Sequence, residues 1–335
     1  MVKKTDNKKT DNKKTDNKKT VLVITICAII SASALSLVFI VSVDPSENPS
    51  DTSENPSDTS ENPSDTSENS SDTKTMSDYI ENLSETHTIQ VRYNIPYFDI
   101  YMTDNDFTRV SQYLDHIDGV RITFNPSTAE KLLEFLKPND GTVVIYPIFT
   151  SAAYSEPGFY TYFGGYCDES CITDLSFENA EFLYTSSGVT SQVLYHAGYD
   201  FLTDIEVDKN PEILQNYDTV ILLHNEYVTK KQFDAISSHP NLIFLHPNAL
   251  YAEIDVNYDT NTMTLIRGHN YPEPEIANGF DYEIEQKFHH YEYDNECLEW
   301  EFIEIENGFH LNCYPDGVVL NNLDILFKLN QLTFN

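Results

Sequence analysis

Residues 218–254 read Asp-Thr-Val-Ile-Leu-Leu-His-Asn-Glu-Tyr-Val-Thr-Lys-Lys-Gln-Phe-Asp-Ala-Ile-Ser-Ser-His-Pro-Asn-Leu-Ile-Phe-Leu-His-Pro-Asn-Ala-Leu-Tyr-Ala-Glu-Ile. Two apolar runs, 219–224 and 241–246, are short enough for strands, and each ends in a histidine, His224 and His246. Between them Thr229 and Gln232 have the spacing of a capping box, which predicts a helix starting near Lys230 and ending before Pro240. The order strand, loop, helix, strand, loop predicts parallel strands. Both polar loops then lie at the carboxyl edge of one sheet, where open α/β sheets build ligand sites.

The same alternation extends upstream. Strands are predicted at 90–95, 98–102, 120–124, 142–149, 180–185 and 201–207, and helices at 77–85, 106–117, 127–136 and 190–197. Asn210-Pro211 predicts another short helix start. Residues 150–171 break the rhythm with aromatics, three glycines and two cysteines, a loop that caps a pocket, stacks on a sugar or covers the sheet edge. Downstream the pattern turns to β. Hairpins are predicted over 253–267 and over 300–314, the second around Asn307-Gly308, before a final helix at 323–332. Asp255, Asn257, Asp259 and Asn261 imitate a calcium loop, but Thr260 and Ile266 stand where such a loop requires Gly and Glu.

The fold class expected is α/β: a layered, mostly parallel sheet with a β-hairpin-rich C-terminal part, plus one N-terminal transmembrane helix. The helix comes from residues 21–43, which carry no charge and as a helix extend roughly 35 Å, enough for a bilayer. Residues 1–20 hold eight Lys against three Asp, which predicts a cytoplasmic tail, a signal-anchor and everything after Val43 outside the cell. Residues 44–73 repeat Pro-Ser-Asp-Thr-Ser-Glu-Asn without apolar residues, so a disordered acidic stalk over 44–76 is expected. Residues 77–335 then form the extracellular domain, and the lipid bilayer is the partner of 21–43.

Of the formal net charge of −34, residues 74–335 carry 12 basic and 42 acidic side chains. Such a surface repels phosphate backbones and excludes nucleic acid as a partner. An exterior address favours disulfides among Cys167, Cys171, Cys297 and Cys313, with three pairings open, over a zinc site, for which there is no Cys-x-x-Cys knuckle. Cys167 with Cys171 is local and feasible. The predicted hairpin places residue 302 opposite 313, so Cys297–Cys313 requires a bend before Trp300.

Three loops are expected to converge at the sheet edge: Ser186-Ser187-Gly188, His224-Asn225-Glu226-Tyr227 and the loop from His246 through Asn248 to Tyr251. Ser186, Ser187, Asn225, Asn248 and Tyr251 are the candidate ligand-binding residues. Glu226, His224 and His246 are the catalytic candidates, because a carboxylate beside imidazoles supports proton transfer and metal binding. The competing reading is that these groups hydrogen-bond the loop backbones and hold the edge together.

His-Asn-Glu-Tyr-Val-Thr at 224–229 resembles the His-x-Glu-Tyr-Trp-Ser/Thr motif of the C-terminal domain of the N,N-dimethylformamidase large subunit. Pro-Asn-Ala-Leu-Tyr at 247–251 resembles its Gly-Asn-x-x-Tyr segment. Over 178–254 this implies a class I glutamine-amidotransferase-like core and a mononuclear iron held by tyrosines and a glutamate. Tyr227 maps to one ligand, and Tyr251 and Glu226 are further candidates. Val228 and Pro247 depart from the motifs, and no Cys stands at the turn after 244–246, so glutamine hydrolysis by that route is not implied. The wider chain, with Tyr-Pro-Ile-Phe-Thr at 146–150 and Leu-Asn-Cys-Tyr-Pro at 311–315, resembles a surface protein family of ammonia-oxidising archaea, which implies no particular activity. The function expected is a membrane-anchored extracellular surface protein whose non-catalytic amidotransferase-like domain binds a small ligand, a glycan or an envelope partner. The alternative is a metal-dependent amide hydrolase with iron or zinc, using Glu226, Tyr227 and His224 or His246.

Overall fold

A computed structural model describes residues 73–91, 95–103, 119–178, 182–282, 287, 294 and 296–334. The expected tail, the span at 21–43, the stalk up to residue 72 and the helix at 106–117 lie outside the described residues. No helix among the described residues is long and apolar enough to cross a membrane.

The described chain is mixed α/β with eight α-helices and three sheets. In chain order the strands are β1 (Ile89–Val91), β2 (Phe98–Met102), β3 (Arg121–Phe124), β4 (Thr142–Tyr146), β5 (Leu175–Ser176), β6 (Asp200–Thr203) and β7 (Thr219–Leu222). They continue as β8 (Tyr227–Thr229), β9 (Leu242–Phe244), β10 (Ala252–Asn257), β11 (Thr262–Arg267), β12 (Phe302–Ile305) and β13 (Gly308–Leu311). The helices are α1 (Met76–Thr86), α2 (Glu130–Leu136), α3 (Ile148–Tyr154), α4 (Phe159–Phe163), α5 (Gly188–His196), α6 (Asp204–Lys209), α7 (Lys230–Ser237) and α8 (Leu323–Leu332).

The largest sheet has the order β12-β13-β9-β7-β4-β6, parallel throughout except for the β12–β13 hairpin at its edge. β4 and β7 are buried along their whole length, as strands covered on both faces must be. The second sheet, β5-β11-β10-β8, pairs β8 with β10 in parallel and closes through the expected 253–267 hairpin. β1, β2 and β3 form a third, antiparallel sheet. The chain leaves the first sheet for the second three times, from β4 to β5, from β7 to β8 and from β9 to β10, and the last two of these crossings are short. Residues 223–226 and 245–251 are those two crossings, so the candidate loops lie at the junction of two sheets.

Three expected strands are corrected. The run 142–149 stops at Tyr146, because Pro147 ends it and the Asp204 carboxylate accepts the Phe149 N–H at 2.9 Å in the first turn of α3. The run 201–207 stops at Thr203, whose hydroxyl accepts the Glu206 N–H at 3.2 Å while Glu206 accepts the Thr203 N–H at 2.7 Å. This Thr-x-x-Glu box starts α6 in the middle of an apolar run. At 182–185 there is no strand. Leu183 O accepts the Ser186 and Gly188 N–H groups, turning the chain back on itself, and a Cβ on Gly188 would meet the Phe182 carbonyl carbon at 2.5 Å.

Residues 150–171 are not a structureless loop either. They finish α3, form α4 and end in a 3-10 turn at Glu169–Cys171. The disulfides are Cys167–Cys171 and Cys297–Cys313, with Cα separations of 6.1 and 5.6 Å. The register places Phe302 opposite Leu311, not opposite Cys313, because the reversal lies at Glu306-Asn307. Cys297 reaches Cys313 through a left-handed bend, φ +49°.

Candidate functional site

Glu226 is the centre of the junction and is fully buried. Its backbone is fixed from three sides. The Thr150 hydroxyl of α3 accepts the Glu226 N–H at 3.0 Å and faces the Tyr227 N–H at 3.3 Å, while the Glu226 carbonyl accepts the Tyr251 and Ala252 N–H groups at 2.9 Å. Next to it the Asn225 carbonyl accepts the Leu250 N–H at 2.7 Å. The turn thus locks the two crossings together.

Among the described residues its carboxylate is held by side chains alone. His269 donates from Nε2 to Oε1 at 2.6 Å, and the Tyr154 hydroxyl donates to Oε2 at 2.9 Å. The Tyr160 hydroxyl lies 3.3 Å from Oε1 and 2.7 Å from the Tyr154 hydroxyl. His224 Nε2 sits 3.1 Å from Oε2, close enough to pair electrostatically but off the line of a hydrogen bond. Its other nitrogen, Nδ1, donates to the Thr185 carbonyl, which fixes the ring. His246 stacks on His224 with ring centroids 3.5 Å apart.

Burial opposes the charge on Glu226, but the facing His269 and His224 imidazoles outweigh it and hold the carboxyl far below the ordinary carboxylate range. Burial, reinforced by the charge of Glu226, pushes the Tyr154 and Tyr160 phenols well above their ordinary value, so both stay protonated and donate. Burial and then the neighbouring His224 push His246 well below the ordinary histidine value, so the His246 ring stays neutral. A carboxylate this well stabilised is a weak base. Glu226 therefore serves better as a charge anchor than as a proton acceptor.

Two buried polar groups stand out because neither makes a well-aligned hydrogen bond among the described residues: the Tyr227 hydroxyl and the Asn225 side-chain amide. Burial, then the adjacent Tyr160 hydroxyl and Glu226, push the Tyr227 phenol well up; the Tyr160 hydroxyl is its hydrogen-bonding neighbour, but the two are poorly aligned. Such a pair costs about 1–3 kcal/mol per group in a folded protein, which marks the place where a partner belongs.

Three of the expected loops do converge. The Ser187 hydroxyl accepts the His224 N–H at 3.0 Å, and Ser187 itself is held at φ +60°. Ser186 is used locally, donating to Leu183 O at 3.2 Å, and the Asn248 N–H donates to His246 Nδ1 at 3.0 Å. These two support the loops. Tyr251 packs on His269, with ring centroids 4.7 Å apart. The aromatic segment is both a covering and part of the site. Phe159 packs edge-on against Tyr227 at 5.0 Å, Tyr154 and Tyr160 reach Glu226, and Tyr166 is left 87% exposed.

His269 was not singled out by sequence. The signal available was Gly-His-Asn at 268–270, a turn tripeptide directly after β11 carrying an imidazole. Tyr154 and Tyr160 were visible only as members of an aromatic-rich segment.

Among the described residues no group of three or more His, Cys, Asp or Glu is arranged to hold a metal ion. Compared with known proteins, the chain matches no family model and no curated protein sequence.

Proposed function

We propose that this chain is a binding module of a membrane-anchored extracellular protein, and that it takes a small polar ligand at the sheet junction beneath the α3–α4 cap. The observation that carries this reading is the Tyr227 hydroxyl, buried with no well-aligned hydrogen bond among the described residues, beside an ionised, side-chain-held carboxylate. A scaffold gains nothing from such a hydroxyl; a site that waits for a partner does. The two disulfides fit an exterior address.

The test is chemical denaturation of the full chain carrying Tyr227→Phe. The variant is expected to match the wild type or exceed it by up to about 1 kcal/mol, because only a poorly paired hydroxyl is removed. A loss larger than this would make the hydroxyl a scaffold element and end the reading.

The metal-dependent amide hydrolase is the second reading, and the same hydroxyl favours it. Phenol, carboxylate and imidazole together suit trivalent iron, and Tyr227, Glu226 and Tyr160 would hold it. Bound there, a metal would polarise an amide carbonyl. Against it, both Glu226 oxygens are already occupied by protein donors, which would have to exchange. Metal analysis of the purified full chain separates the readings. Stoichiometric iron or zinc, lost in Tyr227→Phe, selects the hydrolase; a metal-free chain selects the binding module.

A further inference from the structure

We propose that the box of rings around His269 is a receptor for a small organic cation of the alkylammonium type, and that the His269 imidazole is its built-in occupant. This names the ligand class of the site proposed above and rests on that reading. Four rings surround the imidazole: Tyr251 at 4.7 Å, Phe163 at 5.4 Å, Tyr227 at 5.7 Å and Tyr160 at 6.2 Å between centroids. The Glu226 carboxylate, 2.6 Å from Nε2, completes the box.

Aromatic faces carry partial negative charge, and such faces combined with a carboxylate make the preferred surroundings of a desolvated ammonium group. Tyr160 and Tyr227 remain protonated in these surroundings, so their rings offer faces and hydroxyls rather than full charges. The carboxylate restricts the choice further. Whatever displaces the imidazole must bring positive charge of its own, or it leaves a buried carboxylate short of a partner. The strongly acidic surface of residues 74–335 gathers cations around the protein in the first place.

The turn that presents His269 is built for a side chain that moves on a backbone that does not. His269 and Asn270 have φ of +53° and +63°, consecutive left-handed residues where Asn-Gly is the favoured pair. Gly268 and Tyr271 exchange hydrogen bonds at 3.0 Å, and the His269 and Asn270 N–H groups bind Ala277 O and Ile276 O at 3.0 and 2.7 Å. Backbone strain kept at a residue that touches the buried carboxylate is a mark of function. The His269 side chain is 21% exposed and the adjoining Tyr160 36%, so the imidazole stands at the solvent edge of the box.

The experiment is calorimetric titration of the full chain with tetramethylammonium chloride, with sodium chloride at matched concentration as the blank. Wild type is expected to bind, His269→Ala to bind at least about ten-fold tighter because the internal competitor is gone, and Phe163→Leu to bind on the order of three-fold more weakly than wild type. Equal affinity of wild type and His269→Ala, or no heat from either, overturns the proposal. If His269→Ala does not fold, wild-type protein labelled at histidine 13Cε1 supplies the answer. The ring-shielded His269 signal moves downfield as tetramethylammonium displaces it, and a signal unmoved at saturation overturns the proposal equally. Failure here with Tyr227→Phe still tolerated means that the ligand class is wrong and the site stands; a destabilising Tyr227→Phe removes the site itself.

Discussion

Two fully buried carboxylates, Glu226 and Asp316, lie near the same pair of loops and are held in opposite ways. Asp316 caps the first turn of α5: its oxygens accept the Val189 and Thr190 N–H groups at 2.9 and 3.0 Å and the Thr190 hydroxyl. Burial pushes its carboxyl up to about 6. Glu226 accepts no backbone donor on its carboxylate oxygens among the described contacts; imidazoles and phenols hold it ionised. Backbone donors at a helix start cannot leave, so Asp316 belongs to the scaffold. Side-chain donors can rotate away one at a time, and that freedom is what a ligand site requires.

The contrast is broken most directly at Glu226. Glu226→Gln removes the charge that His269 and His224 face, and urea denaturation at neutral pH is expected to show a loss of about 3 kcal/mol. A loss below about 1 kcal/mol would show that the ring of donors does not depend on the charge. Next comes the pH dependence of Asp316. Its folded value, about 6, lies above the ordinary 3.8, so between those values the folded state holds the proton more tightly than the unfolded one. Stability from this group is therefore greatest below about pH 4 and falls as pH rises toward 6. Between pH 4.5 and pH 7 the wild type should lose about 2 kcal/mol through this group, and Asp316→Asn should lack that part of the slope. Parallel slopes for the two proteins would contradict the assignment. The smallest effect sharpens the comparison. Thr190→Val removes one side-chain donor but leaves both backbone donors on Asp316, and is expected to cost about 1 kcal/mol in the same denaturation assay. A cost as large as that of Glu226→Gln would erase the distinction between the two carboxylates.

The parallel sheet was legible because its strands are short, apolar and punctuated, and the Thr229–Gln232 box marked its helix to the residue. The convergence of 224–227 and 246–251 followed from strand direction, whereas 186–187 reaches the same place without the strand expected before it. The overextended strands at 142–149 and 201–207 failed for a common reason: an apolar run buried in a sheet and one buried in a helix have the same composition. Only Pro147 and the Thr203–Glu206 pair marked the change. The missing strand at 182–185 was unreadable because tertiary contacts, not local propensity, turn that segment back. Half of the site was hidden for a different cause. Glu226 draws its partners from Tyr154, Tyr160 and His269, which lie far from it in sequence, and no local pattern announces a contact made across two sheets.

The position of β13 has a consequence for how the protein is made. This strand pairs with β9 although some sixty residues and most of the second sheet separate them, and Gly308 fits only because a Cβ there would strike Leu242 O at 1.8 Å. Until residues 302–311 have been synthesised, the apolar Leu242-Ile243-Phe244 strand is an uncovered edge that invites pairing with another chain. Once the hairpin arrives, the outermost strand becomes β12, bracketed by exposed Glu301, Glu304 and Glu306, which repel a further strand. Translation that stops short of residue 300 thus leaves an aggregation-prone edge, and the arrival of β12 and β13 covers it.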